Sequence, residues 1–81
     1  MTAGVWEVDL HGKNEYQARV TLDAALRRAK GGTYRIRCIH GHHGGTALRD
    51  MIRKEYRSHP KILRVELGLN PGATDLVLRE L

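Results

Sequence analysis

Two stretches of alternating character stand on either side of a single helical stripe, and that arrangement restricts the possible folds more than any other feature of the chain. Val5 to Leu10 sets Trp6, Val8 and Leu10 on one side and Glu7 and Asp9 on the other; Thr33 to Ile39 sets Tyr34, Ile36 and Cys38 inward against Arg35 and Arg37. A period of two marks a strand with one buried face. Between the two, Asn14 and Gln17 have the spacing of a capping box. Ala18, Leu22, Ala25, Leu26 and Ala29 then recur at helical intervals until Gly31-Gly32, which is expected to end the helix. A strand–helix–strand unit of this size almost always closes as a right-handed crossover between parallel strands. The carboxyl ends of both strands then reach the same edge of a sheet.

The rest of the chain extends the unit. Leu48, Met51 and Ile52 form the apolar face of a second helix with Tyr56 at its margin, and Arg49, Arg53 and Arg57 make a basic stripe opposite, with Pro60 as the stop. Ile62 to Leu69 predicts a third strand with Leu63, Val65, Leu67 and Leu69 inward. Asn70-Pro71-Gly72 predicts a turn, and Leu76-Val77-Leu78 anchors a fourth strand. Outward strand positions are polar: Glu7, Asp9, Arg35, Arg37, Arg64, Glu66, Asp75 and Arg79. Only one sheet face is apolar enough to carry helices, so the expected architecture is an α/β two-layer sandwich of order βαβαββ, with both helices on one face and the other face open to water. At 81 residues this is a single domain, 1–81. No apolar run approaches the ~20 residues of a membrane span, no basic-then-apolar leader opens the chain, and Cys38 is the lone cysteine. The expectation is a cytoplasmic protein with no membrane partner.

If the first two strands are neighbours, roughly 4.8 Å apart, Asp9-Leu10-His11-Gly12 and Ile39-His40-Gly41-His42-His43 converge at the carboxyl edge, where open α/β sheets place ligands. Gly41, Gly44 and Gly45 let backbone amides approach an anion, and the second helix, starting near Thr46, aims its N–H groups the same way. His11 and His40 can divide proton removal and donation near neutral pH. Asp9 would orient His11 or ligate a metal, and Lys13 and Arg49 would neutralise a phosphodiester. The net charge of +5 is centred on this region: residues 31 to 64 hold eight Lys/Arg against Asp50 and Glu55. A polyanionic partner is implied. Few aromatic residues are available for base stacking, with Trp6 and Tyr34 pointing inward and Tyr16 and Tyr56 left for the surface. Each feature also has a structural reading: glycines as turns, His11 and His40 as hydrogen-bonding caps, the basic stripe as a solvated face, His59 as a C-terminal cap. Asp9, His11, His40, His42 and His43 could alternatively hold zinc, manganese or nickel.

Three motifs in this order, Asp9-Leu10-His11-Gly12, Ile39-His40-Gly41 running into Gly45-Thr46-Ala47-Leu48-Arg49, and Asn70-x-Gly72-x-Thr74, resemble those of the Smr (small MutS-related) domain over nearly the whole chain. The resemblance implies a mixed four-stranded sheet of order 1-2-4-3, nucleic-acid binding, and nicking or endonuclease activity on DNA or RNA. It places family roles at Asp9, His11, Gly12, His40, Gly41 and Gly44. The chain departs from the family at Gly41-His42-His43-Gly44, one residue longer than the usual Gly-x-Gly and without its cation. The expectation is therefore a phosphodiesterase with Asp9, His11 and His40 as catalytic groups. Gly12, Lys13, Gly41, His42, His43, Gly44, Gly45, Thr46, Arg49 and Arg53 would bind substrate, and magnesium or manganese would serve where an activated water is required. The alternatives are a non-catalytic nucleic-acid-binding module and a metal-binding protein. Oligomeric state is left open.

Overall fold

The computed structural model describes residues 4–41, 46–68 and 70–80. The elements follow as β1 (Val5–Asp9), α1 (Glu15–Arg28), β2 (Arg35–Ile39), α2 (Ala47–Glu55), β3 (Arg64–Glu66) and β4 (Ala73–Val77). The sheet order is β1-β2-β4-β3, with β1 parallel to β2 and β4 antiparallel to both β2 and β3. Asp9 pairs with Ile39, so β1 and β2 end together at one edge.

Side-chain periodicity selects the buried face. Val8 and Leu10 of the β1 segment, Ile36 and Cys38 of β2, and Leu76 of β4 meet Ala18, Leu22, Ala25 and Leu26 of α1 and Met51 and Ile52 of α2 in one core. The Asn14–Gln17 capping box forms with both of its hydrogen bonds. Val20, which lies off the apolar stripe, is half exposed.

Several expectations are corrected. Helix α1 ends at Arg28 with Ala29 as an extended C-cap, and the glycine pair instead forms a turn closed by Thr33 N–H to Lys30 C=O, 2.9 Å. Helix α2 ends at Glu55, well before Pro60, because two successive turns intervene: His59 N–H to Tyr56 C=O and Ile62 N–H to His59 C=O. The His59 ring stacks on Tyr56 and accepts the Lys61 N–H, so its side chain caps no helix carbonyl. Tyr56 is buried at 4% exposure, its hydroxyl donating to Asp23 across the helix pair, and is unavailable for stacking on bases. In the β3 region only Arg64–Glu66 is strand. Leu63 and Leu67 are 57% and 61% exposed, and Leu69 lies outside the described residues. Ile62 fills the core in their place. The cause is position: β3 is the last strand of the sheet, and only Val65 of the three alternating residues packs against the core.

The face without helices is covered by its own charges. Asp75, central on β4 and 5% exposed, accepts Arg35 at 2.7 Å and a two-point Arg37 contact at 3.0 and 3.2 Å. Arg35 also reaches Glu66. These guanidinium groups roof β4, which is buried on both faces.

Candidate active site at the His-Gly corners

The two corners emerge from the parallel pair. Leu10 N–H donates to Ile39 C=O at 2.7 Å, extending the ladder one step beyond β1. The chain then turns at Gly12 (φ +80°), while the second corner turns at Gly41 (φ +78°). Both conformations are left-handed and favour glycine. A β-carbon at Gly41 would stand 3.8 Å from the His11 β-carbon, so the corners lie side by side.

At the first corner, Asp9 Oδ1 accepts both the His11 backbone N–H (3.1 Å) and the His11 Nδ1 (2.6 Å). The hydrogen bond from the ring holds the Asp9 carboxyl below the usual carboxylate range. A carboxylate accepts, so Nδ1 bears a proton, and in the neutral ring Nε2 carries the lone pair. The His11 side chain is 71% exposed. The contact with Asp9 holds an exposed imidazole in one orientation. Lys13 follows, its N–H closing a turn to Leu10 C=O, and with Asp9, Trp6, Val20 and Arg28 it lines a shallow groove of about 490 Å³ between β1 and α1.

The second corner is built differently. His40 is 7% exposed; its Nδ1 contacts Gly41 C=O at 2.8 Å and its Nε2 contacts Thr74 Oγ1 at 2.9 Å. A carbonyl only accepts, so Nδ1 bears a proton, and in the neutral ring Nε2 accepts the Thr74 hydroxyl. Thr74 in turn accepts Arg53 Nε at 3.3 Å. Gly72 C=O receives the N–H groups of both His40 (2.9 Å) and Gly41 (3.0 Å), and the Asn70 side chain secures the Gly72 N–H at 2.8 Å. The third motif, Asn70-x-Gly72-x-Thr74, is thus the strut beneath the second. Thr74 and Gly72 had no place among the sequence-predicted site residues. Their signal was the motif itself, whose meaning depends on β4 lying beside β2.

Thr46 immediately precedes α2, and its hydroxyl donates to Asp50 at 2.9 Å rather than capping a backbone N–H. Arg49 pairs with Asp50 as well, and Arg57 lies beyond the end of the helix, so the expected basic stripe is part committed internally. The predicted binding residues His42, His43, Gly44 and Gly45 lie outside the described residues. Among the described residues, no three His, Cys, Asp or Glu side chains are grouped to hold a metal ion. No described helix is long and apolar enough to cross a membrane.

A β1-β2-β4-β3 sheet under two helices, with an Asp–His corner and a glycine corner at the ends of its parallel pair, defines a particular class of small α/β domain. Residues 8–74 match the family model of the Smr domain. The crystal structure of the Smr domain of Thermus thermophilus MutS2 superposes with a TM-score of 0.82 at 31% identity, covering 93% of this chain and 99% of that one. No curated protein matches. The chain belongs to the Smr domain family.

Proposed function

We propose that the protein binds nucleic acid at the paired His-Gly corners and cleaves its phosphodiester backbone there, with His11 as the acid/base group and Asp9 as its orienter. The observation that carries this reading is the 2.6 Å Asp9–His11 contact on an exposed corner, which commits Nδ1 and leaves Nε2 for the substrate. Membership of a family of nucleic-acid-binding and nicking domains supports the substrate class. Gly12, Gly41 and the loop of His42, His43, Gly44 and Gly45 would admit a phosphate to backbone amides, and Lys13 and Arg49 would offset its charge. His40, bonded to Gly41 and Thr74, serves in this scheme by holding the second corner in place. An RNA 2′-hydroxyl needs only a base, an acid and stabilisation of the developing oxyanion. A DNA substrate needs an activated water, for which magnesium or manganese would be supplied.

The test is cleavage of labelled single- and double-stranded DNA and RNA by wild type, His11→Ala and Asp9→Asn, with EDTA and with Mg²⁺ or Mn²⁺. Loss in His11→Ala and partial loss in Asp9→Asn is the expected result, and equal cleavage by all three would remove His11 from the mechanism. A second reading, binding without cleavage, is favoured by one observation: among the described residues only one of the two expected acid/base histidines is exposed. It is distinguished by salt-sensitive affinity with no product under any metal condition.

A further inference from the structure

The free edge of β3 carries two features that the site does not use: exposed Leu63 and Leu67, and the alternating charges Arg64 and Glu66. We propose that this edge pairs with the same edge of a second copy of the chain, antiparallel about a two-fold axis through Val65.

The backbone directions follow from the sheet. Leu78 N–H donates to Tyr34 C=O and His40 N–H to Gly72 C=O, so the even-numbered residues of β4 bond to β2. Asp75 and Val77 therefore face β3, where their partners are Glu66 and Arg64. Val65 is left with its N–H and C=O directed out of the sheet. Two copies centred on Val65 would exchange both bonds at that residue. The neighbouring positions then set Arg64 opposite Glu66 of the second copy, twice, and bring Leu67 of each copy beside Leu63 of the other. Because Leu63 N–H is already donated to Val77 C=O at 2.8 Å, the backbone bonds of the contact are the two at Val65, and the leucines meet through their side chains alone. The Arg64–Glu66 pairs would occupy the closer, non-hydrogen-bonded positions, where cross-strand side chains interact most.

Charge complementarity selects this occupant and this register. Sliding the pairing by one step of the two-residue side-chain period sets Arg64 against Arg64 or Glu66 against Glu66, which is repulsive. A slip of half that period faces the leucines away from each other. An edge bearing like charges would resist self-pairing; this one is self-complementary only about Val65. The result is a continuous eight-stranded sheet with all four helices on one face and the two Asp9–His11 corners at opposite edges. The contact is short, so association in the micromolar range is expected rather than a permanent dimer.

Sedimentation velocity from low to high micromolar concentration reads the outcome, with circular dichroism confirming the fold of each variant. Wild type is expected to self-associate reversibly. Arg64→Glu and Glu66→Arg alone should each weaken association by at least about tenfold, since each sets two like-charge pairs in opposition. An equimolar mixture of the two single variants should restore it, as should Arg64→Glu/Glu66→Arg in one chain. Arg64 and Glu66 also pair within the chain, so Leu67→Lys is the independent variant: its side chain is exposed, and it should abolish association with the thermal midpoint unchanged. A monomeric wild type throughout would overturn the proposal, as would single swaps that associate like wild type or a mixture that does not recover.

Discussion

Replacing Thr74 by valine tests the strut that holds the second His-Gly corner. Valine keeps the shape of threonine, so no cavity opens at a position with 0% exposure; only the hydroxyl is lost. That hydroxyl donates to Nε2 of the buried His40 and accepts Arg53 Nε. Taking the hydroxyl partner away from a buried nitrogen costs about 1–3 kcal/mol, whereas the longer Arg53 bond is to a partly exposed side chain that water can serve. The expected loss is about 2 kcal/mol. For 81 residues at ~2.1 cal/mol/K each, the unfolding entropy is about 0.17 kcal/mol/K, so the melting temperature should fall by about 12 °C. Thr74→Ser keeps both bonds and sheds one methyl, at about 1 kcal/mol and half the shift. Calorimetry of the two variants separates polar from packing effects. A valine variant no less stable than the serine one would refute the argument, as would nitrogen-detected NMR showing His40 protonated at Nε2 rather than Nδ1 in the neutral form.

Gly12→Ala should cost about 1–2 kcal/mol, the penalty of a left-handed residue with open space around the new methyl, whereas Gly4→Ala should cost more, because its β-carbon would meet the Tyr34 ring at 2.5 Å; chemical denaturation compares them. Asp75→Ala should destabilise by about 3 kcal/mol, because it leaves Arg35 and Arg37 without the carboxylate they share on a strand buried on both faces; urea titration measures this. Asp9 has a folded pKa depressed by the His11 hydrogen bond, so its contribution is present above the unfolded carboxylate range and is lost as pH falls through the depressed value. Asp9→Asn should therefore flatten part of the acid limb of a stability–pH profile and leave the limb above neutrality unchanged.

Much of the architecture was legible because periodicity is a local property. Alternation at Trp6-Val8-Leu10 and Ile36-Cys38, and the stripe from Ala18 to Leu26, report which side of each element meets the core, and the structure buries these faces. Convergence of the two His-Gly corners was legible for a similar reason, since a crossover connection leaves the ends of two parallel strands little freedom. The β3 region shows where this stops. Ile62 to Leu69 alternates as well as any strand in the chain, yet Leu63 and Leu67 are exposed, because nothing in a local pattern says that a strand lies at the end of its sheet.

The sequence by itself determined the element types, the inward faces of β1, β2 and the two helices, the Asn14 cap and the two glycine corners, since each depends on residues a few positions apart. Only the tertiary structure decided that His11 stands exposed against Asp9 while His40 is buried against Thr74, 34 positions away. The two histidines end matching motifs and look alike in sequence. What separates them is the neighbour: β1 is an outer strand, so its corner meets solvent, whereas β2 lies beside the central β4, whose turn and first residues close over His40.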